Sequence, residues 1–126
     1  MESSSIWVED LKSGQRIEAS VTWVGEDLVV AVGGGEQPHV GCIVLAQPGQ
    51  SQESSASCSV LTIPPHKEEP IARGIATRLA EALGRITVVT AGVHDDNLGA
   101  DGIATYLRLG DELAEKLLTH LADLED

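Results

Sequence analysis

The chain contains no phenylalanine, and its aromatic residues are limited to Trp7, Trp23 and Tyr106. Since 42% of its residues are apolar, it can still bury a core, and that core must be aliphatic. Basic residues are also scarce: 8 Lys and Arg stand against 20 Asp and Glu, a formal net charge of −12. That balance excludes the basic footprint through which proteins hold nucleic acid, and it disfavours anionic membrane surfaces. Cysteine is limited to Cys42 and Cys58, which form no CxxC pair and sit in strand-like surroundings, where cysteine behaves as a small buried hydrophobe. No apolar run is long enough to span a bilayer, and MESSSIWVED lacks the basic start and apolar stretch of a signal peptide. The expectation is a soluble cytoplasmic protein without nucleic-acid or membrane partners. At 126 residues one domain is expected, 1–126, with residues 1–15 as a loose polar lead-in from which Ile6, Trp7 and Val8 could dock on the core.

The hydrophobic pattern predicts an α+β fold. Ile17, Ala19, Val21 and Trp23 alternate with polar residues, the period of a half-buried strand. Gly25-Glu26-Asp27 is a turn signal, and Leu28 to Val32 form a second strand that is apolar on both faces. Further strands cover Val40 to Ala46, Cys58 to Ile63 and Ile86 to Thr90, the last β-branched throughout and so placed centrally. Ile71, Ile75, Leu79 and Leu83 recur every four residues, a helical spacing that ends at Gly84. Leu113, Leu117, Leu121 and Leu124 mark a final helix, preceded by a short one from Ile103 to Leu107 that Gly110 ends. The architecture expected is a mixed, mostly antiparallel sheet of about five strands with helices packed against it.

Three of the four histidines stand in short polar loops that follow strands: GGGEQPHVG at 33–41, PPHKEE at 64–69 and TAGVHDDN at 90–97. If the second, third and fourth strands form an antiparallel meander, and a helix joins the fourth to the fifth in parallel, the three strand ends lie on one sheet edge. His39, His66 and His94 would then converge on one site. His120, in the last helix, is expected to be a surface or flank residue with no role.

A lone loop histidine is most often solvated, and a glycine-rich loop is often only a turn. Three such loops on one edge carry more weight. They are compatible with a metal site, His39, His66 and His94 supplying imidazoles and Asp95 or Asp96 a carboxylate, although no HxH or HxxxH spacing is present. A metal-dependent small-molecule enzyme built on these histidines is therefore one alternative. General acid–base work by His94 with Asp95 or Asp96 is another, without an evident nucleophile. The glycines and the helix start after Lys67, with Arg73 nearby, point to a third, a pocket for an anionic cofactor. GGG matches neither GxGxxG nor a P-loop.

The same segments resemble a known family. GGGEQPHVGCIVLA, the HKE at 66–68 and VVTAGVHDDN, in this order and spacing, resemble the small prenylated-flavin chaperone (LpdD-like) proteins. These accompany UbiD-type decarboxylases and have been called the small subunit of gallate or hydroxyarylic-acid decarboxylases. The resemblance covers most of the chain from the second strand onward. It implies a non-catalytic protein that binds prenylated FMN, or FMN, and assists its maturation or delivery to a partner decarboxylase; a purely structural small subunit is a further alternative. The matching cofactor-binding positions are Gly34, Gly35, Pro38, His39 and Gly41 in the first loop. In the second they are His66, Lys67 and Glu68, and in the third Gly92, His94, Asp96 and Asn97. On this reading Lys67 and the glycine amides hold the phosphate, while His94, Asp96 and Asn97 address the ring or ribityl chain. Pro65, where glycine is expected, Asp95, at a usually apolar place, and LGADG after Asn97 depart from the family pattern. The leucine-rich last helix and the aliphatic strands offer faces for a homodimer.

Overall fold

A computed structural model describes residues 1–51, 55–64 and 67–125, with side chains through residue 123. Strands β1 (Ser3–Glu9), β2 (Arg16–Val24), β3 (Asp27–Gly35), β4 (Cys42–Gln47) and β5 (Ser57–Thr62) are followed by helix α1 (Glu69–Leu83), strand β6 (Thr87–His94) and helix α2 (Ala100–Glu125). The six strands form one mixed sheet in the order β1-β2-β3-β6-β4-β5. Only β3 and β6 pair in parallel.

The β2–β3 hairpin turns through Gly25-Glu26, between the paired Val24 and Asp27. Gly25 has φ +61, the left-handed value that a tight two-residue hairpin requires at its first central position. The period-two pattern then sorts the two faces of the sheet. Ile17, Ala19, Val21, Leu28, Val30, Val44 and Val89 are buried beneath the helices. α1 contributes Ile75, Leu79 and its alanines, and α2 contributes Leu109, Leu113, Leu117 and Leu121, to the same aliphatic core. Gly84 caps α1 at φ +67 and donates its N–H to the Ala80 carbonyl, the expected end of that helix.

Four expectations need correction. Residues 3–9 are a strand, because SSSIWVE pairs at the sheet edge with Ile6 buried and Val8 partly buried against the core; the sheet therefore has six strands. The meander is absent: β6 lies between β3 and β4, parallel to the first and antiparallel to the second. Gly110 does not end a helix but lies inside α2, where Ile71 of α1 packs 3.2 Å from the place a Cβ would take. It is a close-approach position. Gly110→Val should force α1 and α2 apart and cost about 1–3 kcal/mol, read as a lowered midpoint in urea unfolding. Finally, Cys58 is exposed on β5, whereas Cys42 is buried, its thiol pushed up by burial and by the nearby Glu68.

Two smaller points concern the ends of the stripe. His120 is half-buried on α2, with Nε2 shielded from water and without a partner among the described residues. The side chain of Leu124, the last of the leucine stripe, lies outside the described residues.

Candidate functional site

Strand direction brings the C-terminal ends of β3, β5 and β6 to one edge, as the sequence suggests, though through the inserted β6. The loop after β3 folds directly onto the end of β6. Gln37 donates its N–H to the His94 carbonyl at 3.1 Å, His39 to the Gly92 carbonyl at 3.4 Å and Gly41 to the Ala91 carbonyl at 2.9 Å. Two of the three histidines, His39 and His94, thus stand on adjoining backbone. His66 lies outside the described residues.

Two carboxylates fix this arrangement. Glu68, only 6% exposed, reaches back from the start of α1. Its Oε1 meets His39 Nε2 at 3.2 Å and accepts the Val93 N–H at 3.4 Å. On the opposite side of the ring, His39 Nδ1 lies 3.0 Å from the Gln37 carbonyl. Both ring nitrogens therefore face oxygen acceptors, a carboxylate on one side and a backbone carbonyl on the other, which fixes the plane of the ring. The backbone of Gly41 passes so close that a Cβ there would lie 2.8 Å from Glu68 Oε2.

Asp95 is the second anchor. Its Oδ1 accepts the Glu36 N–H at 2.7 Å, and its Oδ2 accepts the hydroxyl of Tyr106 from α2. Burial and the carboxylate partner push the Tyr106 hydroxyl well above the usual phenol range. Gly35, at φ +76, places its backbone against Asp95 and the His94 carbonyl. Tyr106→Phe removes one donor from a half-buried carboxylate. It should cost about 1–3 kcal/mol in a thermal melt while leaving the circular dichroism spectrum unchanged.

In front of this framework lies an open cavity of about 960 Å³. Its floor is the uncovered face of the sheet at Ala31, Gly33 and Thr90, and its walls are the loops at 35–40 and 95–99. A third wall comes from residues 13–16. Those residues are not a loose lead-in: the Asp10 carboxylate accepts the Ser13 N–H and hydroxyl at 3.0 and 2.7 Å, and Gly14 turns the chain at φ +78. Arg108 of α2 holds Asp10 at 2.7 Å, and Gln15 donates to the Gly102 carbonyl at 2.9 Å. These hydrogen bonds hold the Asp10 carboxyl below the usual range, those from Ser13 contributing most.

The sequence-predicted residues divide by position. Gly34, Gly35, Pro38, His39, Asp96 and Asn97 line the cavity. Gly41, Glu68 and Gly92 stand behind His39 and hold it in place. His94 pairs with Asp96 at 3.1 Å, beside the wall, and Lys67 is exposed and outside it. The residues that sequence reasoning missed are Ser13, Gln15, Arg16 and Tyr106; the Ser-Gly step at 13–14 was the available turn signal.

The electrostatics are uneven. Glu18, Glu36, Asp95 and Asp96 line the cavity, and Arg16 is the only Lys or Arg among the described residues that do. Its guanidinium pairs with Glu18 at 2.9 Å and lies 4.2 Å above the Trp7 ring. The backbone N–H groups of residues 36, 37, 39 and 41 are already taken by internal bonds. Among the described residues, no three His, Cys, Asp or Glu side chains are close enough together to hold a metal ion.

The fold and the site together define a small α+β domain with an open, loop-walled cavity on the bare side of its sheet. Family comparison gives the particular class. Residues 11–122 match the prenylated flavin chaperone LpdD-like domain, and the chain belongs to that family of chaperones. It is similar to protein LpdD of Lactiplantibacillus plantarum, 24% identical over 115 residues that span 87% of this chain and 80% of that protein. The fold is shared with a chain from the crystal structure of a novel chaperone complex for yeast 20S proteasome assembly. That match has a TM-score of 0.71 at 18% identity and covers 95% of this chain and 97% of the other. No helix among the described residues is long and apolar enough to cross a membrane.

Proposed function

We propose that the protein binds prenylated FMN, or FMN, in the cavity at the end of β3 and β6 and hands it to a UbiD-type decarboxylase that performs the chemistry. The observation that carries this reading is the meeting of two family-motif loops around one cavity. At about 960 Å³ the cavity lies within the size range of cofactor pockets. Its neutral floor of Ala31, Gly33 and Thr90 suits an apolar ring system, since nothing there projects far from the sheet.

The donor set fits a flavin with its phosphate placed differently from the sequence expectation. Asp96 and Asn97 offer hydrogen bonds to a polar ring edge or ribityl chain, and the His39 ring, held by Glu68 and the Gln37 carbonyl, offers a flat wall beside them. The phosphate would be held by Arg16 in exchange for its pairing with Glu18, because Glu36, Asp95 and Asp96 oppose an anion at the other walls and the first-loop amides are already engaged. When bound, prenylated FMN supplies the reactivity used by the partner enzyme; this chain's residues would bind it, orient it and shield it.

Reconstitution tests the delivery step. An apo-decarboxylase mixed anaerobically with prenylated FMN should gain activity faster, or to a greater extent, when this protein is present. His39→Ala protein should not give that gain. Equal activation with and without the protein would remove delivery from the account.

A further inference from the structure

We infer that the uncovered face of the sheet is the docking surface for a second copy of this chain, the two sheets packing face to face. Both helices lie on one side of the sheet, so the other side has no cover from the chain itself. An antiparallel sheet with one wet face normally turns polar residues toward water. β2 follows that rule with Arg16, Glu18, Ser20 and Thr22, and β1 largely does, but β3, β6 and β4 do not. Val29, Val88 and Leu45 form one cross-strand row, and Thr90, Ile43 and Leu61 the next. Val29 is 39% exposed, Ile43 36% and Leu61 70%.

Charge identifies the occupant. Although 22% of the chain is charged, on the outward-facing positions of β3, β6, β4 and β5 Asp27 is the one Asp, Glu, Lys or Arg; it stands at the end of β3, where its carboxylate accepts the Ile86 N–H. At the β2 margin, the charges of Arg16 and Glu18 cancel in a pair. Two copies that each carry −12 repel one another wherever acidic surfaces meet. A face whose middle carries no charge is where they can approach with the fewest like charges opposite each other. A basic partner would be drawn instead to the acidic surfaces elsewhere. The area suits a modest interface. The six-stranded face, with strands ~4.8 Å apart and about seven residues long, measures roughly 650 Å² in projection against the ~800 Å² per partner of a standard interface, and β3, β6, β4 and β5 supply about two thirds of it. The face runs into the cavity floor at Ala31 and Thr90, so a second sheet packed ~10 Å above it would also roof that end of the cavity.

The inference does not depend on which ligand the cavity takes, and its test reads only mass and fold. Sedimentation equilibrium on the full chain should give twice the 13.2 kDa chain mass at micromolar concentration and above. Leu61→Asp, on an edge strand where a charge is tolerated in the folded chain, and Ile43→Asp should each give a monomer with an unchanged circular dichroism spectrum. Leu107→Asp, on the helix side of the molecule, should remain a dimer. A wild-type monomer at all concentrations would overturn the inference, as would a dimer that survives Leu61→Asp or one broken by Leu107→Asp. A wild-type monomer that instead binds the decarboxylase through this face, with binding lost in Leu61→Asp, would assign the face to that partner and also overturn it.

Discussion

Gly92→Ala is expected to abolish flavin binding and to lower the melting temperature by roughly 10 °C, the equivalent of about 3 kcal/mol in a domain of this size. A Cβ at this position would run into the carbonyl of His39 and crowd its ring. The first loop would have to lift off β6, breaking the His39 N–H bond to the Gly92 carbonyl and straining those of Gln37 and Gly41 on either side. The loss would therefore spread from packing into the site, since the same loop carries Pro38 and His39 on the cavity wall. Differential scanning calorimetry and an anaerobic flavin titration on the same sample would check both halves. A variant of wild-type stability would mean that the loop is not seated on Gly92.

The second large effect is expected at Glu68. Its carboxylate is buried, yet it touches the cavity only through His39. Glu68→Ala leaves the Val93 N–H without its acceptor and frees the His39 ring from one of its two partners, a cost of about 2 kcal/mol. Flavin affinity should fall at least ~10-fold, since one lost hydrogen bond to an ordered ring is worth about 1.4 kcal/mol or more. Glu68→Gln keeps an acceptor for Val93 and a polar contact for His39, and should recover most of the stability. A positioning role predicts that His39→Ala and the double variant with Glu68→Ala bind flavin equally weakly. Additive losses in the double-mutant cycle would show that Glu68 acts apart from His39.

Much of this architecture was legible from local patterns. β2 and β3 announce themselves by alternation and by a glycine turn, and α1 by its four-residue repeat and Gly84. The β-branched run at 86–90 marks a central strand, and β6 is central. Its neighbours could not be read, because pairing with β3 on one side and β4 on the other is decided by long-range contacts and not by any local signal. The serines at 3–5 hid β1 for a related reason: an edge strand that buries one residue needs little hydrophobicity. Gly110 read as a helix stop because its actual partner, Ile71, is distant in sequence.

The site shows the same division. Motif loops identified His39, Asp96 and Asn97 on the cavity wall and Glu68 and Gly92 behind it. The wall at residues 13–16 was hidden, since it depends on Asp10 meeting Arg108 and Gln15 meeting Gly102 across the fold. Asp95 stood out in the sequence as a polar residue at a usually apolar place. The structure gives it a partner in Tyr106, the only tyrosine, and so accounts for that departure as a wall tie.

The central claim is that this cavity takes a flavin mononucleotide, and anaerobic titration of the purified full chain with prenylated FMN and with FMN tests it most directly. The account predicts saturable binding of at least one form, with a shifted absorbance spectrum, and loss of that binding in His39→Ala and Gly92→Ala. Absence of saturable binding of either form, or binding that both variants retain in full, would contradict it.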